Sequence, residues 1–490
     1  MTSSQTDDRV SVKTKFFFGI GASADNAINW IFNVLAFFYY QQILGLSGAL
    51  AGTAVAIAIC ADAVTDPLVG SISDRFKSKY GRRHPFLFFA PIPLAIAIFL
   101  IFNPPASFVE SQMAMFAWFT VFTVLLRTFQ TIFAIPLLAM GAELSTNYIE
   151  RSKIMSYESL FGLYGYVFMH LVAIIGIFGM LYGGDGGRLY QPAYTPVVLL
   201  CCAFVIITIF ACAYGTRDQI PKLKQREVDA GPPGAKVFFG DIWSVLQNRN
   251  YRALLFGLFF LAVTAGTHET LGIYMATFFW ELNANQWGFL IIGNIIGTHV
   301  AFFLAPAIHR KFDKRWAIFW GCFFFAIFWS SATTLKLLGI GPDVATWNAV
   351  IFIGSIGIFN VFAGVVLTIS VMSALADIAD EHELLTGQRQ EGIFYAARTF
   401  FSKAMNAFGH IVAGFAIDFY IKLPPKSEPG EVAEDVLFRL GIVDGPFAMF
   451  FGIVAAFVYL GYKIDKKRYR EIRMKLDRYH ETIPSGGVNG

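Results

Sequence analysis

AGTAVAIAICADAVTDPLVG, residues 51–70, is an apolar run interrupted only by two carboxylates, Asp62 and Asp66. As a helix, a run of this length reaches about 30 Å, the thickness of a bilayer's hydrocarbon core. At the bilayer centre each charged Asp costs roughly 2.5–3.5 kcal/mol, so an intramembrane pair points to work with protons or cations. The i, i+4 spacing puts both on one helix face. Pro67 follows directly, lacks a backbone donor and biases Asp66 away from helical geometry, so the reading expects freed carbonyls that help to hold a small ion. The structural alternative is a protonated aspartate hydrogen-bonded to a neighbouring helix.

Working outward, the 490 residues are 56% apolar, 17% aromatic and only 15% charged, against about 25% charged in soluble domains. This implies an all-α membrane protein. Twelve spans are expected, at roughly 16–41, 48–72, 84–104, 113–143, 155–181, 194–214, 251–280, 286–308, 315–336, 347–376, 391–420 and 446–464. Cys60, Cys201, Cys202, Cys212 and Cys322 all fall in these spans and read as small apolar packing residues. MTSSQTDDRV lacks the basic start of a cleavable signal, so the first span is expected to stay. Basic residues alternate along the connections. SDRFKSKYGRR (73–83) after span two is rich in them, NPPASFVESQ (103–112) has none, and Lys222, Lys224 and Arg226, then Arg310, Lys311, Lys314 and Arg315, then KKRYREIRMKLDR (466–478), continue the pattern. The segment between spans eleven and twelve is acid-rich, with Glu428, Glu431, Glu434 and Asp435. By the positive-inside rule both termini are cytoplasmic. The expected organisation is a six-helix half (1–214), a cytoplasmic linker (215–250), a second six-helix half (251–464) and a basic cytoplasmic tail (465–490). The basic loops after spans two and eight occupy equivalent places in the two halves.

Several polar constellations lie inside predicted spans. In span one, Asn26, Asn29 and Asn33 are expected on one face with Asp25 one step round, as a wall for a solute or as interhelical glue. Span eleven carries Arg398, Lys403, Asn406 and His410, and Lys403 calls for a carboxylate, with Asp62 or Asp66 as its natural partner. Arg127 sits near the middle of span four, and span seven holds Thr267, His268, Glu269 and Thr270. Glu269 is a candidate second proton carrier, since burial raises a carboxylate's pKa; alternatively Glu269 and His268 bind a polar solute or pair with each other, and the sequence leaves open whether the two take part in proton coupling. His170 and His299 read as packing or hydrogen-bonding residues. No phosphate loop, metal cluster, or nucleophile with its base is evident, so an enzyme is not expected and an ion gradient is the expected energy source.

DAVTDPLVGSISDRFKSKYGRRHPF (62–86), supported by GLSGALAGT (45–53), IPLLAMGAELSTNYIERSKI (135–154) and DIADEHELLTGQRQEGIFYAARTFFSK (377–403), resembles the glycoside-pentoside-hexuronide:cation symporters, the branch of the major facilitator superfamily that includes the melibiose carrier. The likeness implies the major-facilitator fold. It implies that Asp62 and Asp66 line the cation site with Lys403 beside them, and that Asp74, Arg75, Gly81, Arg82 and Arg83 form the cytoplasmic gating loop. The melibiose carrier's charged or aromatic sugar-binding positions fall at Asn26, Ala134, Leu138 and Ser159, beside Asp25 and Glu158, so recognition of the melibiose kind is not implied. DAVTDPLVG is also similar to the related lysophosphatidylcholine symporter.

The resulting expectation is cation-coupled symport of a sugar or glycoside, with H⁺ or Na⁺ as the coupling ion, no cofactor and no nucleic-acid partner, in a bacterial inner membrane. The solute wall is expected from Asp25, Asn26, Asn29, Arg127 and Glu269. A lysolipid or other amphiphile is the alternative solute, and a non-transporting sensor on the same fold is a second alternative.

Overall fold

The computed structural model describes residues 9–76, 78–145, 147–224, 246–386 and 391–482, and these are mostly helical with no strand among them. The expectations resting on residues 1–8, Lys77, the linker stretch 225–245 with Arg226, residues 387–390 and the tail beyond 482 lie outside the described residues.

Helix α1 (Val12–Trp30) continues through the π-helical turns Ile31–Ala36 and Tyr39–Leu44. Gly45, at φ 87°, takes the left-handed conformation that ends this rod. The Ser47 hydroxyl then accepts the Leu50 N–H at 3.4 Å and starts α2 (Gly48–Arg75). Asp66 does not leave helical geometry as expected, and α2 runs through Pro67 for its full 28 residues. The proline's missing donor is absorbed inside the helix rather than ending it, as happens in membrane helices whose neighbours restrain them. Next come α3 (His84–Phe89), α4 (Pro91–Phe102), α5 (Gln112–Glu143), α6 (Tyr148–His170, prolonged by π turns Leu171–Leu181) and α7 (Tyr194–Gly215). Beyond the linker are α8 (Arg249–Tyr274, prolonged by π turns Met275–Phe279), α9 (Ile291–Lys311), α10 (Lys314–Leu337), α11 (Trp347–Thr386), α12 (Glu391–Phe415, prolonged by π turns Ala416–Ile421), α13 (Ala448–Tyr459, preceded by π turns Val443–Phe447) and α14 (Lys466–Thr482).

Ten helices among the described residues are long and apolar enough to cross a membrane. Large apolar side chains stay exposed along them, Phe303 at 82% and Ile207 at 66%, a pattern that water would penalise and lipid favours. The chain is an integral multi-pass membrane protein. All five cysteines are free, and all but Cys60 are buried.

The described residues fall into two compact units. The first joins the N-terminal residues up to the linker with Glu269–Ile291 and His410–Leu440, and the second holds 292–409, the residues before Glu269 and those from Gly441 on. In the first unit small residues set the helix approach. A methyl group at Gly165 would sit 2.6 Å from Ser23, and one at Gly52 would sit 2.7 Å from the His410 carbonyl oxygen, so α6 approaches α1, and α12 approaches α2, backbone to backbone. In the second unit Tyr251, Ile318, Leu375, Tyr459 and Leu476 share one buried cluster.

Candidate functional site

The first unit gathers a polar network among apolar helices. Arg127 of α5 donates from Nη1 to Asn29 Oδ1 at 3.0 Å and from Nη2 to Asn33 Oδ1 at 3.4 Å, with its guanidinium 4.4 Å from the centre of the Phe32 ring. Gln130, one helical turn on, donates to Asp25 Oδ1 at 2.8 Å and to Asn29 Oδ1 at 3.1 Å, and Asn29 Nδ2 donates to Asp25 Oδ2 at 3.3 Å. The face therefore joins Asp25, Asn29 and Asn33 rather than Asn26, Asn29 and Asn33. The wider turns that begin at Ile31 advance less per residue and carry Asn33 back over Asp25. Asn26 instead donates to its own helix at Ala22 O, 3.2 Å away, and faces Gly162 of α6.

Thr131, the residue after Gln130, donates to Asp66 Oδ1 at 2.8 Å. Successive residues on a helix diverge by about 100°, so α5 touches α1 with one and α2 with the next. Asp62 is buried at 6% exposure, and the Thr65 hydroxyl donates to its carbonyl at 3.4 Å. Glu269 is partly buried in the first unit, where the adjacent Thr270 hydroxyl meets His410 Nδ1 at 2.7 Å. Lys403 is partly buried and belongs to the second unit, as does Arg398. His268 does not use its ring on Glu269: Nδ1 meets Asp444 Oδ1 at 2.7 Å and Nε2 meets the Ser330 hydroxyl at 3.1 Å. His170 accepts from the Trp30 indole at 3.2 Å and His299 bonds its own helix at Ile295 O, as the packing reading had them.

At the far end of α2 the predicted gating loop is drawn together. Arg83 donates to Asp74 Oδ1 at 2.5 Å, to Ser73 Oγ at 2.7 Å and to Glu143 Oε1 at 2.6 Å, while Arg82 pairs with Glu143 Oε2 at 3.1 Å. Gly81 takes φ 77°, the left-handed turn that brings the two arginines back over the helix end. The backbone of Arg75 closes α2. Lys15 pairs with Glu150, and that hydrogen bond holds the Glu150 carboxyl below the usual carboxylate range.

Sequence reasoning missed Gln130 and Thr131, which carry no charge, and Glu143 and Asp418, which lie at helix ends where acidic residues are ordinary. The Asp418 carboxylate accepts from Ser47 Oγ at 2.6 Å, Gly48 N at 2.9 Å and Ala49 N at 2.8 Å, capping the start of α2.

Known proteins agree with this architecture. The putative glycoside/cation symporter YagG of Escherichia coli is 23% identical over 98% of this chain and 99% of its own length. The inner membrane symporter YicJ of the same organism is 24% identical over 94% of this chain and 92% of its own. Among solved structures, the nucleoside transporter NupG superposes with a TM-score of 0.63 at 14% identity, covering 92% of this chain and 100% of that one. The xylose transporter XylE of E. coli, in a partially occluded inward open conformation, gives 0.55 at 14% identity, with 93% and 96% covered. These likenesses show the major-facilitator fold. The profile of MFS/sugar transport proteins matches residues 17–466, nearly the whole chain, and the protein belongs to that family.

Proposed function

We propose that this protein is a secondary active transporter that moves a sugar or glycoside together with H⁺ or Na⁺ by alternating access, with twelve membrane-crossing helices, halves at 1–214 and 251–464, and both termini cytoplasmic. Family membership and the symporters among its relatives support the reaction class, and the relatives named as an inner membrane symporter and a glycoside/cation symporter support a bacterial inner membrane and a saccharide solute. The observation that carries the reading is the pair Gln130–Thr131. One residue belongs to the network that presents Asp25, Asn29 and Arg127, and the next holds Asp66. A shift of α5 on solute binding therefore reaches the carboxylate that would hold the ion.

In this reading Asp62 and Asp66 bind the cation, and Lys403 tunes them. Asp25, Asn29, Arg127 and Glu269 meet the solute, and Asp74, Arg82 and Arg83 latch the gate. A wall of charged and amide groups suits hydroxyls, which form several hydrogen bonds each, better than an acyl chain. Thermal stabilisation of the purified protein by sugars, glycosides and lysolipids, each with and without sodium and across pH, tests the reading. A saccharide whose effect grows with sodium or with falling pH supports it, since ion and solute then bind cooperatively. A lysolipid response without any sugar response overturns the solute. Accumulation that persists in a D62N/D66N double variant overturns the ion site.

A further inference from the structure

The second unit holds an ionisable pair that the proposed reaction does not use. His268, on α8, is 4% exposed and Asp444, in the π turns before α13, is 5% exposed. The imidazole Nδ1 and Asp444 Oδ1 are 2.7 Å apart, and the other carboxylate oxygen accepts from the Thr333 hydroxyl at 3.3 Å. Nε2 lies 3.1 Å from Ser330 Oγ, and that hydroxyl also reaches the Asp444 carbonyl at 3.4 Å. The ring stacks on Trp329 with centres 4.7 Å apart and planes 7° apart. Gly445 lets the turn come this close, since a methyl group there would sit 3.1 Å from Thr334 Oγ1. Ser330, Thr333 and Trp329 of α10 and Asp444 itself are the groups that meet the ring and its carboxylate; among the described residues no second charged side chain touches the pair. Glu269, next along α8, leaves the helix about 100° away.

Both protonation states of the ring can be satisfied here without moving a heavy atom. A carboxylate only accepts, so the neutral imidazole carries its hydrogen on Nδ1 and Nε2 accepts from the Ser330 hydroxyl. An added proton goes to Nε2, which then donates to Ser330 Oγ, and the serine's own hydrogen rotates to the Asp444 carbonyl. No donor or acceptor is stranded in either state, which is what a buried site needs in order to load and unload a proton. Loading takes the pair from one net negative charge to none, the cheaper direction at bilayer depth.

We propose that His268 and Asp444 form a reversible proton-binding site in the second unit, distinct from Asp62 and Asp66, with the Ser330 hydroxyl as its toggle. The inference does not rest on the proposed solute or coupling ion, and its test needs neither. A stacked imidazolium quenches tryptophan emission more than the neutral ring does, so Trp329 reports the state of His268. The purified protein is titrated from about pH 9 to 5, the range in which histidines change charge, alongside W329F. The difference between the two fluorescence curves is expected to show a single reversible one-proton step. H268Q should abolish the step and E269Q should retain it. Should H268Q not fold, D444N takes its place, and its step must differ from the wild-type step in midpoint or amplitude. A flat difference curve over the whole range, a step that survives H268Q, or a D444N step identical to the wild type would overturn the site and leave the pair as a fixed structural contact.

Discussion

Arg127 binds two asparagines of α1 at once, and no lysine could hold both with the same fork. Charge-assisted hydrogen bonds are worth about 1.5–3 kcal/mol each, so R127A is expected to weaken binding of whichever saccharide stabilises the wild type by about tenfold or more. Thermal-shift titration reads this directly, and an unchanged affinity would remove Arg127 from the solute wall. Glu150 offers a prediction in pH. Its carboxyl is held low by Lys15, so the pair's contribution to stability is complete above the ordinary value of 4.5 and is lost as pH falls through the depressed folded value. The gap in melting temperature between wild type and E150Q should therefore be constant at neutral pH and close below about pH 4.5; a gap that widens on acidification would contradict it. The residues that could be read from sequence share one property: a full charge in an apolar run has no cheap explanation, and so Asp62, Asp66 and Arg127 stood out. Gln130 costs little in the same place, and Asp444 sits beside a glycine and a proline that read as a span boundary. Which helices these side chains meet is set by packing between distant segments, and one sequence does not encode that locally.

At the level of elements, the start of α2 is held by α12 and its π extension through two devices. Glycines let the backbones touch, Gly414 lying against the Gly48 carbonyl and Gly52 against that of His410. Asp418 then closes three donors at the helix start. D418A should cost about 0.5–2 kcal/mol as a lost cap, and G414A about 1–3 kcal/mol as overpacking against immovable backbone. Unfolding in mixed micelles measures both, and a G414A variant as stable as the wild type would mean that the helices can separate freely there. Helix lengths were legible from hydropathy, because lipid demands it. The end of α11 was not: the span was expected to end near residue 376, but the helix runs on to Thr386, and in that added stretch Asp377 is held by Lys314 at 2.7 Å and by the Tyr462 hydroxyl at 3.0 Å.

Across the whole molecule, that contact has a counterpart. Arg83, at the start of α3, reaches Glu143 at the end of α5, 60 positions later, and Lys314, at the start of α10, reaches Asp377 in α11, 63 positions later. The loops after spans two and eight, equivalent in sequence only by their charge, are thus equivalent in what they grip, once in each unit. Double-mutant cycles on Arg83–Glu143 and on Lys314–Asp377 should each return a coupling energy of about 0.5–3 kcal/mol, and additive losses in either cycle would deny that grip. The π turns carry a different consequence. Among the described residues of the first unit four chain passes end in them, at Tyr39–Leu44, Leu171–Leu181, Met275–Phe279 and Ala416–Ile421. A π turn holds one residue more than an α turn needs, so deleting a single residue there can relax the turn to α without rotating the helix behind it. The same deletion within α2 would swing Asp66 about 100° away from Thr131. One end of this bundle can therefore gain or lose residues over evolutionary time, and so vary its loops, while the registry of the buried polar groups is kept.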